Sequence, residues 1–394
     1  MSSPRGTALW MGTHLIVVYY GSNTVHKVQL SDQMVTHYQG DTVGGPGFTD
    51  GVHARFNQPE CICADAAGNA FVSDVSNFAV RKIANDGVAT VTTLAGTGAT
   101  GSSDNVDSVL AQFGHPYGIA VDSASRVFVA DHSNFAIRRV DVDGSVSTVF
   151  GTGVSGTFDG VGVLGQLTSL YSIALDDNGF LYMNTWGAAS GIQVLDTATN
   201  RLTNFAGGSF GKNVGITVSG DGATFFLCGW DEKKVLAYGA PAPSAATART
   251  SPTALPTLTW TAGTGVSGAV RGSRSVASFG RPYGLHLDTA NERIVFADNE
   301  QHMIVTLTTG VATGGRANTL AGSGTAGSTP GVTLEAEFDE PTDVVVDANG
   351  VTYVGSAASA VVQSITASGT VQVLAGTGAA AYLEHATGTS AKFT

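Results

Sequence analysis

The chain has 394 residues, 43% of them hydrophobic and only 13% charged, with 52 glycines and a formal net charge of −12. That length supplies enough apolar surface for a core without staples, and Cys61, Cys63 and Cys228 show neither a disulfide framework nor zinc-ligand spacing. The acidic balance argues against a nucleic-acid partner. With no apolar run near the ~18 residues of a spanning helix, direct membrane insertion is not expected.

Short runs of Val, Ile, Phe and Tyr alternate with Gly, Asp, Asn and Ser, the signature of an all-β chain. One phrase recurs throughout. It opens as PRGTALWMGTHLIVVYYGSNTVHKV (4–28), then becomes FNQPECICADAAGNAFVSDVSNFAVRKI (56–83) and FGHPYGIAVDSASRVFVADHSNFAIRRV (113–140). Looser copies follow at 167–195 and 279–307, another at 338–365, and a degenerate one at 213–238. The units start near Pro4, Pro59, Pro116, Leu170, Asn213, Pro282 and Pro341. Each holds four strand signals separated by turns such as DSAS and DVDG. Four strands repeated radially make a propeller blade, so residues 1–394 are expected to form a single seven-bladed β-propeller. Six blades remain only if the degenerate fifth unit is not one. The first unit lacks the phenylalanine that opens the others, and Phe393 stands at the far end of the chain. The chain ends are therefore expected to close the ring, with Phe393 near Pro4 and Gly6, which leaves no bare strand edges.

The motif Phe-x-x-Pro-x-Gly-Ile-Ala-Val-Asp followed by Val-Ala-Asp-x-x-Asn-x-x-Ile-Arg-x-Val, almost intact in the second and third units, resembles the NHL-repeat propellers. The resemblance covers essentially the whole chain and implies a scaffold used mainly to bind partners, with a minority of enzymes. Fold alone assigns no function.

Between units lie Gly-rich segments of constant design: 94–113, 149–167, 260–279, 320–338 and 374–393, each closed by Phe or Leu. Constant length predicts ordered loops plugged by that last residue. Their Gly-x-Gly-x-x-Gly matches recur between strands, without the single strand-to-helix setting of a dinucleotide site, and read as turns. DVDG, DDNG and DANG are likewise hairpin turns and lack the rest of a calcium loop.

In a propeller, the residue after each proline sits where the innermost strand meets the central channel. Arg5, Glu60, Tyr117, Tyr171, Val214, Tyr283 and Thr342 are therefore expected around one mouth. Tyrosines with a carboxylate and a guanidinium make a polar, aromatic funnel; the plain alternative is a channel plug. The fourth connection, SFGKN with Lys212, is shortened and predicts a notch. Trp186 and Trp230 flank it, in loops where other units place Asp74, Asp131 and Asp298, and exposed tryptophan is commonly a contact residue. An insert rich in Pro, Ala, Ser and Thr at 239–257 reads as a surface loop.

The sequence therefore points to a non-enzymatic binding module for a protein, peptide or glycan ligand on the face bearing the Gly-rich loops, with no cofactor. Two enzymatic alternatives follow from related propellers. Amidating-lyase propellers hold zinc through histidines after the repeat's proline, where this chain has Tyr117, Tyr171 and Tyr283. Gluconolactonase-like propellers hold calcium near the channel, for which Glu60 and Asp343 are the candidate ligands here. The Gly/Ala/Ser/Thr-rich vocabulary and acidic balance suit an extracellular or cell-surface domain of a longer protein, against which stand the missing signal segment and unpaired cysteines.

Overall fold

The computed structural model describes residues 4–31, 35–40, 45–158, 160–186, 191–207, 213–239, 257–309 and 315–376. Seven antiparallel sheets follow one another along the chain. Their first strands are Pro4–Trp10, Pro59–Ala64, Pro116–Val121, Ser169–Leu175, Asn213–Val218, Pro282–Asp288 and Pro341–Val346. Each of these packs against the first strand of the next sheet, and the seventh packs against the first. The first strands thus form the inner wall of a closed seven-bladed β-propeller, and the degenerate fifth unit is a full blade.

The second strands explain the composition. Val127–Asp131 in blade three and Thr352–Ser356 in blade seven are buried at every position. A middle strand of a blade is covered on both faces by its neighbours, so it reads as a continuous apolar run without alternation. The core is accordingly seven separate clusters, one in each cleft between adjacent blades. Phe71 and Val80 of blade two meet Ile119, Val127 and Val129 of blade three. Leu15, Val17 and Tyr19 of blade one meet Val345, Tyr353 and Val362 of blade seven, which closes the ring.

All four strands described in blade one come from the N-terminal segment Pro4–Gln39. Side-chain bonds reinforce the closing seam. Asp343 Oδ2 accepts from the Thr7 amide (2.8 Å) and hydroxyl (2.6 Å), and Thr342 Oγ1 donates to the Pro4 carbonyl (3.0 Å). The expected position of Phe393 lies outside the described residues.

Four of the five expected inter-blade loops are described and are ordered as their fixed length predicts; the one at 374–393 lies outside the described residues beyond 376. Phe113, Leu167, Phe279 and Phe338 are fully buried in the clefts. A further copy of the design, not evident in the sequence, runs from Gly40 to the buried Phe56. The first glycine of each loop is obligatory. Gly96 has φ +112°, and a β-carbon there would lie 2.5 Å from the Phe78 carbonyl oxygen; Gly151 at φ +113° meets Phe135 in the same way. Most loops also run beside the outermost strand of the blade they lead into. Gly272–Ser273 pairs with Ala317 and Arg316, and Gly331–Val332 with Val371 and Thr370, covering what would be open edges. The third strand of blade five ends at Gly239 and its fourth begins at Thr257, as the expected insert requires; residues 240–256 are outside the described set.

Candidate functional site

All seven inner strands break register with the second strand immediately after the proline position, between Pro4 and Gly6, Pro59 and Ile62, Pro116 and Ile119, Leu170 and Ile173, and so on around the ring. A bulge turns a side chain out of the regular alternation. Repeated seven times at one end of the channel, it aims the residue after each proline at the mouth. A cavity of about 380 Å³ opens there, lined by Arg5, Glu60, Tyr117, Tyr171, Tyr283 and Thr342. Of the expected ring only Val214 is missing, because its side chain lies outside the described set. In blades three and five the next position is glycine because the neighbouring inner strand is too close for more: a β-carbon on Gly118 would lie 2.6 Å from the Tyr171 carbonyl oxygen, and one on Gly215 2.4 Å from that of Tyr283. Cys61 occupies the equivalent place in blade two and lines the cavity. It is half-buried rather than buried, and desolvation pushes its thiol up to about 11.

The charged pair at the mouth is loosely engaged. Arg5 Nη1 donates to Tyr283 Oη (3.1 Å) and stands 3.7 Å from Glu60 Oε1, too far for a hydrogen bond. Arg5 Nε is buried with no hydrogen-bond partner among the described residues. Desolvation raises the Glu60 carboxyl, an effect that the Arg5 charge opposes. Burial likewise lifts Tyr117 to about 12 and raises Tyr171 and Tyr283, so all three hydroxyls are neutral at physiological pH.

Two aromatic walls flank this pair. Tyr117 and Tyr171 lie 4.9 Å apart between ring centroids, and His132 packs on both, at 5.1 and 4.6 Å. On another side Trp230 meets Tyr283 at 5.6 Å, with the Arg281 guanidinium 5.6 Å from its ring.

The strand registers correct the expected equivalence of the tryptophans with the repeat's aspartates. Asp74 pairs with Pro59, and the matching pairs are Thr185 with Leu170 and Gly229 with Asn213. Trp186 and Trp230 each stand one residue later, where blades two, three and six carry Val75, His132 and Asn299. That position reaches the start of the next inner strand: His132 Nδ1 is 2.9 Å from the Leu170 carbonyl, and Asn299 Nδ2 donates to that of Pro341 (3.1 Å). Trp230 makes the same reach with its ring and lines the cavity. The Trp186 side chain, Lys212 and the shortened connection lie outside the described residues. His132 is the mouth residue that the sequence reading left unused; its signal was the position it shares with Trp230.

The aspartates themselves are internal wiring. Asp74 and Arg81 are both fully buried, 2.8 Å apart, and Arg81 also binds the Arg55 and Thr49 carbonyls and Asp50 of the incoming loop. Asp131 and Arg138 repeat the arrangement with Asp104, and Asn77 and Asn134 each complete it with a bond to the same aspartate. In blade seven a neutral pair, Ser356 and Gln363, takes over. In blade six Val305 occupies the arginine's place in the strand, and Arg271 approaches Asp298 from the loop at 3.8 Å. Asp298 Oδ2 is left without a hydrogen bond among the described residues, and desolvation pushes the carboxyl up to about 7.

Both calcium candidates, Glu60 and Asp343, line the cavity; Asp343 is committed to Thr7 and is pushed up by burial to about 6. Among the described residues no three His, Cys, Asp or Glu side chains cluster as metal ligands. No helix among them is long and apolar enough to cross a membrane.

No family model and no curated protein matches the chain. Solved propeller structures do. Virginiamycin B lyase from Staphylococcus aureus is similar at 12% identity and TM-score 0.57 over 94% of each chain. Hydrazine synthase of Kuenenia stuttgartiensis gives 11% and 0.61, covering 94% of this chain and 97% of that one. An auxiliary nutrient binding protein from Bacteroides thetaiotaomicron gives 14% and 0.52, covering 90% and 95%. At these identities the likeness establishes the fold alone.

Proposed function

We propose that the chain is a non-enzymatic binding propeller built of NHL-type repeats, and that its ligand enters the channel mouth on the face of the Gly-rich loops. One observation carries this reading. Arg5 and Glu60 line a cavity beside Tyr117, Tyr171, Tyr283 and Trp230, yet neither saturates the other's hydrogen-bonding capacity. A cavity of this size, aromatic with a few converging polar groups, has the form of a small-ligand or side-chain pocket. A plug that served only to fill the channel would be expected to satisfy its own charges. The lyase and nutrient-binding neighbours share the scaffold and lend no residues to this assignment.

The test is retention on printed peptide and glycan arrays by the full chain and by a Glu60→Gln/Tyr117→Ala variant. The wild type should mark discrete features, and the variant should lose about tenfold or more in signal, ~1.4 kcal/mol, with its melting temperature little changed. Binding that ignores the variant would move the site away from the mouth.

A further inference from the structure

We infer that the mouth recognises a neutral, polyhydroxylated ring, a saccharide unit, held between the two aromatic walls with its hydroxyls bridging Arg5 and Glu60. The inference rests on the mouth being the binding site and adds the class of ligand.

Charge is the first constraint. A guanidinium and a carboxylate face the same half-buried space 3.7 Å apart, and the second carboxylate of the lining, Asp343, is held by the Thr7 amide and hydroxyl. An anionic ligand seated there would lie against Glu60, and a cationic one against Arg5. Like charges brought that close in a partly desolvated site repel. A neutral ligand meets neither penalty.

Hydrogen bonding is the second. Arg5 only donates and Glu60, when ionised, only accepts. Arg5 gives one hydrogen bond, to Tyr283, and its Nε–H has no acceptor among the described residues. A ligand hydroxyl accepts from one partner while donating to the other, so it completes the pair that the protein leaves open. The Tyr117 hydroxyl, kept neutral, can act in either sense.

Shape is the third. Tyr117 and Tyr171, backed by His132, and the Trp230–Tyr283 pair line the cavity with aromatic rings from different blades. A pyranose has hydroxyls around its rim and apolar C–H faces, and those faces pack on aromatic rings. A linear polyol would leave the rings uncovered.

The experiment is titration of the full chain, followed by tryptophan fluorescence and calorimetry. The probes are galactose, N-acetylglucosamine, maltose and cellobiose, with lysine, glycine betaine and acetate as charged comparators. At least one saccharide should bind saturably. Arg5→Gln and Glu60→Gln should each raise its dissociation constant about tenfold or more, whereas Trp230→Phe should abolish most of the fluorescence response and retain calorimetric binding. Binding of a charged comparator with no saccharide bound would overturn the ligand class and leave the mouth as the site. Peptide-array binding sensitive to Glu60→Gln, with no saccharide bound, would do the same. Saccharide binding indifferent to both charge variants would overturn the geometry. If neither arrays nor titrations show binding at the mouth, the ligand class and the functional reading fall together.

Discussion

Two arginine–carboxylate pairs in this molecule share their chemistry and behave differently in space. Arg81 and Asp74 are wholly inaccessible, and both terminal nitrogens of the arginine are engaged in hydrogen bonds, with the guanidinium 5.0 and 5.2 Å from the Phe48 and Phe56 rings; its Nε, like that of Arg5, has no hydrogen-bond partner among the described residues, so the two pairs differ at their terminal nitrogens and carboxylates. Arg5 and Glu60 are partly exposed, 3.7 Å apart, and share no hydrogen bond. The first pair ties a blade to the loop that enters it, so its geometry is dictated by folding. The second sits where seven bulges converge, and beyond Glu60 Arg5 is engaged there only by the Tyr283 hydroxyl and the face of Tyr20 among the described residues.

The contrast is broken first at the wiring. Arg81→Ala strands the buried Asp74 carboxylate, and loss of one partner of such a pair costs about 3–5 kcal/mol. Denaturant unfolding should show it, and Arg138→Ala should behave likewise. A loss below ~1 kcal/mol would mean that the loops order themselves without the network.

Blade six sharpens the point, because its carboxylate has only a distant arginine. Asp298 faces Arg271 and, farther off, Glu300, with the Gly280 and Arg281 amides on its other oxygen. Its folded value of about 7 lies above the unfolded one near 3.9. The folded state therefore holds this proton more tightly than the unfolded state. The group's contribution is greatest at acid pH and is lost as the pH climbs from about 4 to 7, by at most ~1.4 kcal/mol per pH unit. Asp298→Asn should accordingly gain on the wild type as the pH rises from 5 to 8. Parallel melting curves for the two proteins across that range would show that Arg271 compensates the charge fully.

A smaller effect is expected at the closing seam. Thr7→Val removes the hydroxyl donor to Asp343 and leaves the amide bond, which should cost about 1 kcal/mol. No measurable loss would assign ring closure to the apolar cluster between blades seven and one alone.

The fold was legible because its governing features are local and repeated: the proline phrase, the doubly covered second strand and the loop glycine at positive φ. The mouth ring was legible for the same reason, since position after the proline is conserved by the architecture of every blade. The tryptophans were misplaced by one residue because motif alignment ignores register; the Gly229–Asn213 pairing decides it, and pairing is a three-dimensional fact. The wiring was half visible. The Asn134–Asp131 bond spans three residues and is local, but Arg138 reaching a loop carbonyl and Asp104 joins segments more than thirty residues apart, which no local pattern reports.

The most direct measurement is the unfolding free energy of an Arg5→Gln/Glu60→Gln double variant beside the wild type, with Arg81→Ala as the reference for a structural pair. If the mouth pair exists for a ligand, the double variant should stay within about 1 kcal/mol of the wild type, as expected for a partly exposed ion pair. A loss of several kcal/mol, comparable to that of Arg81→Ala, would contradict this and make the mouth a plug.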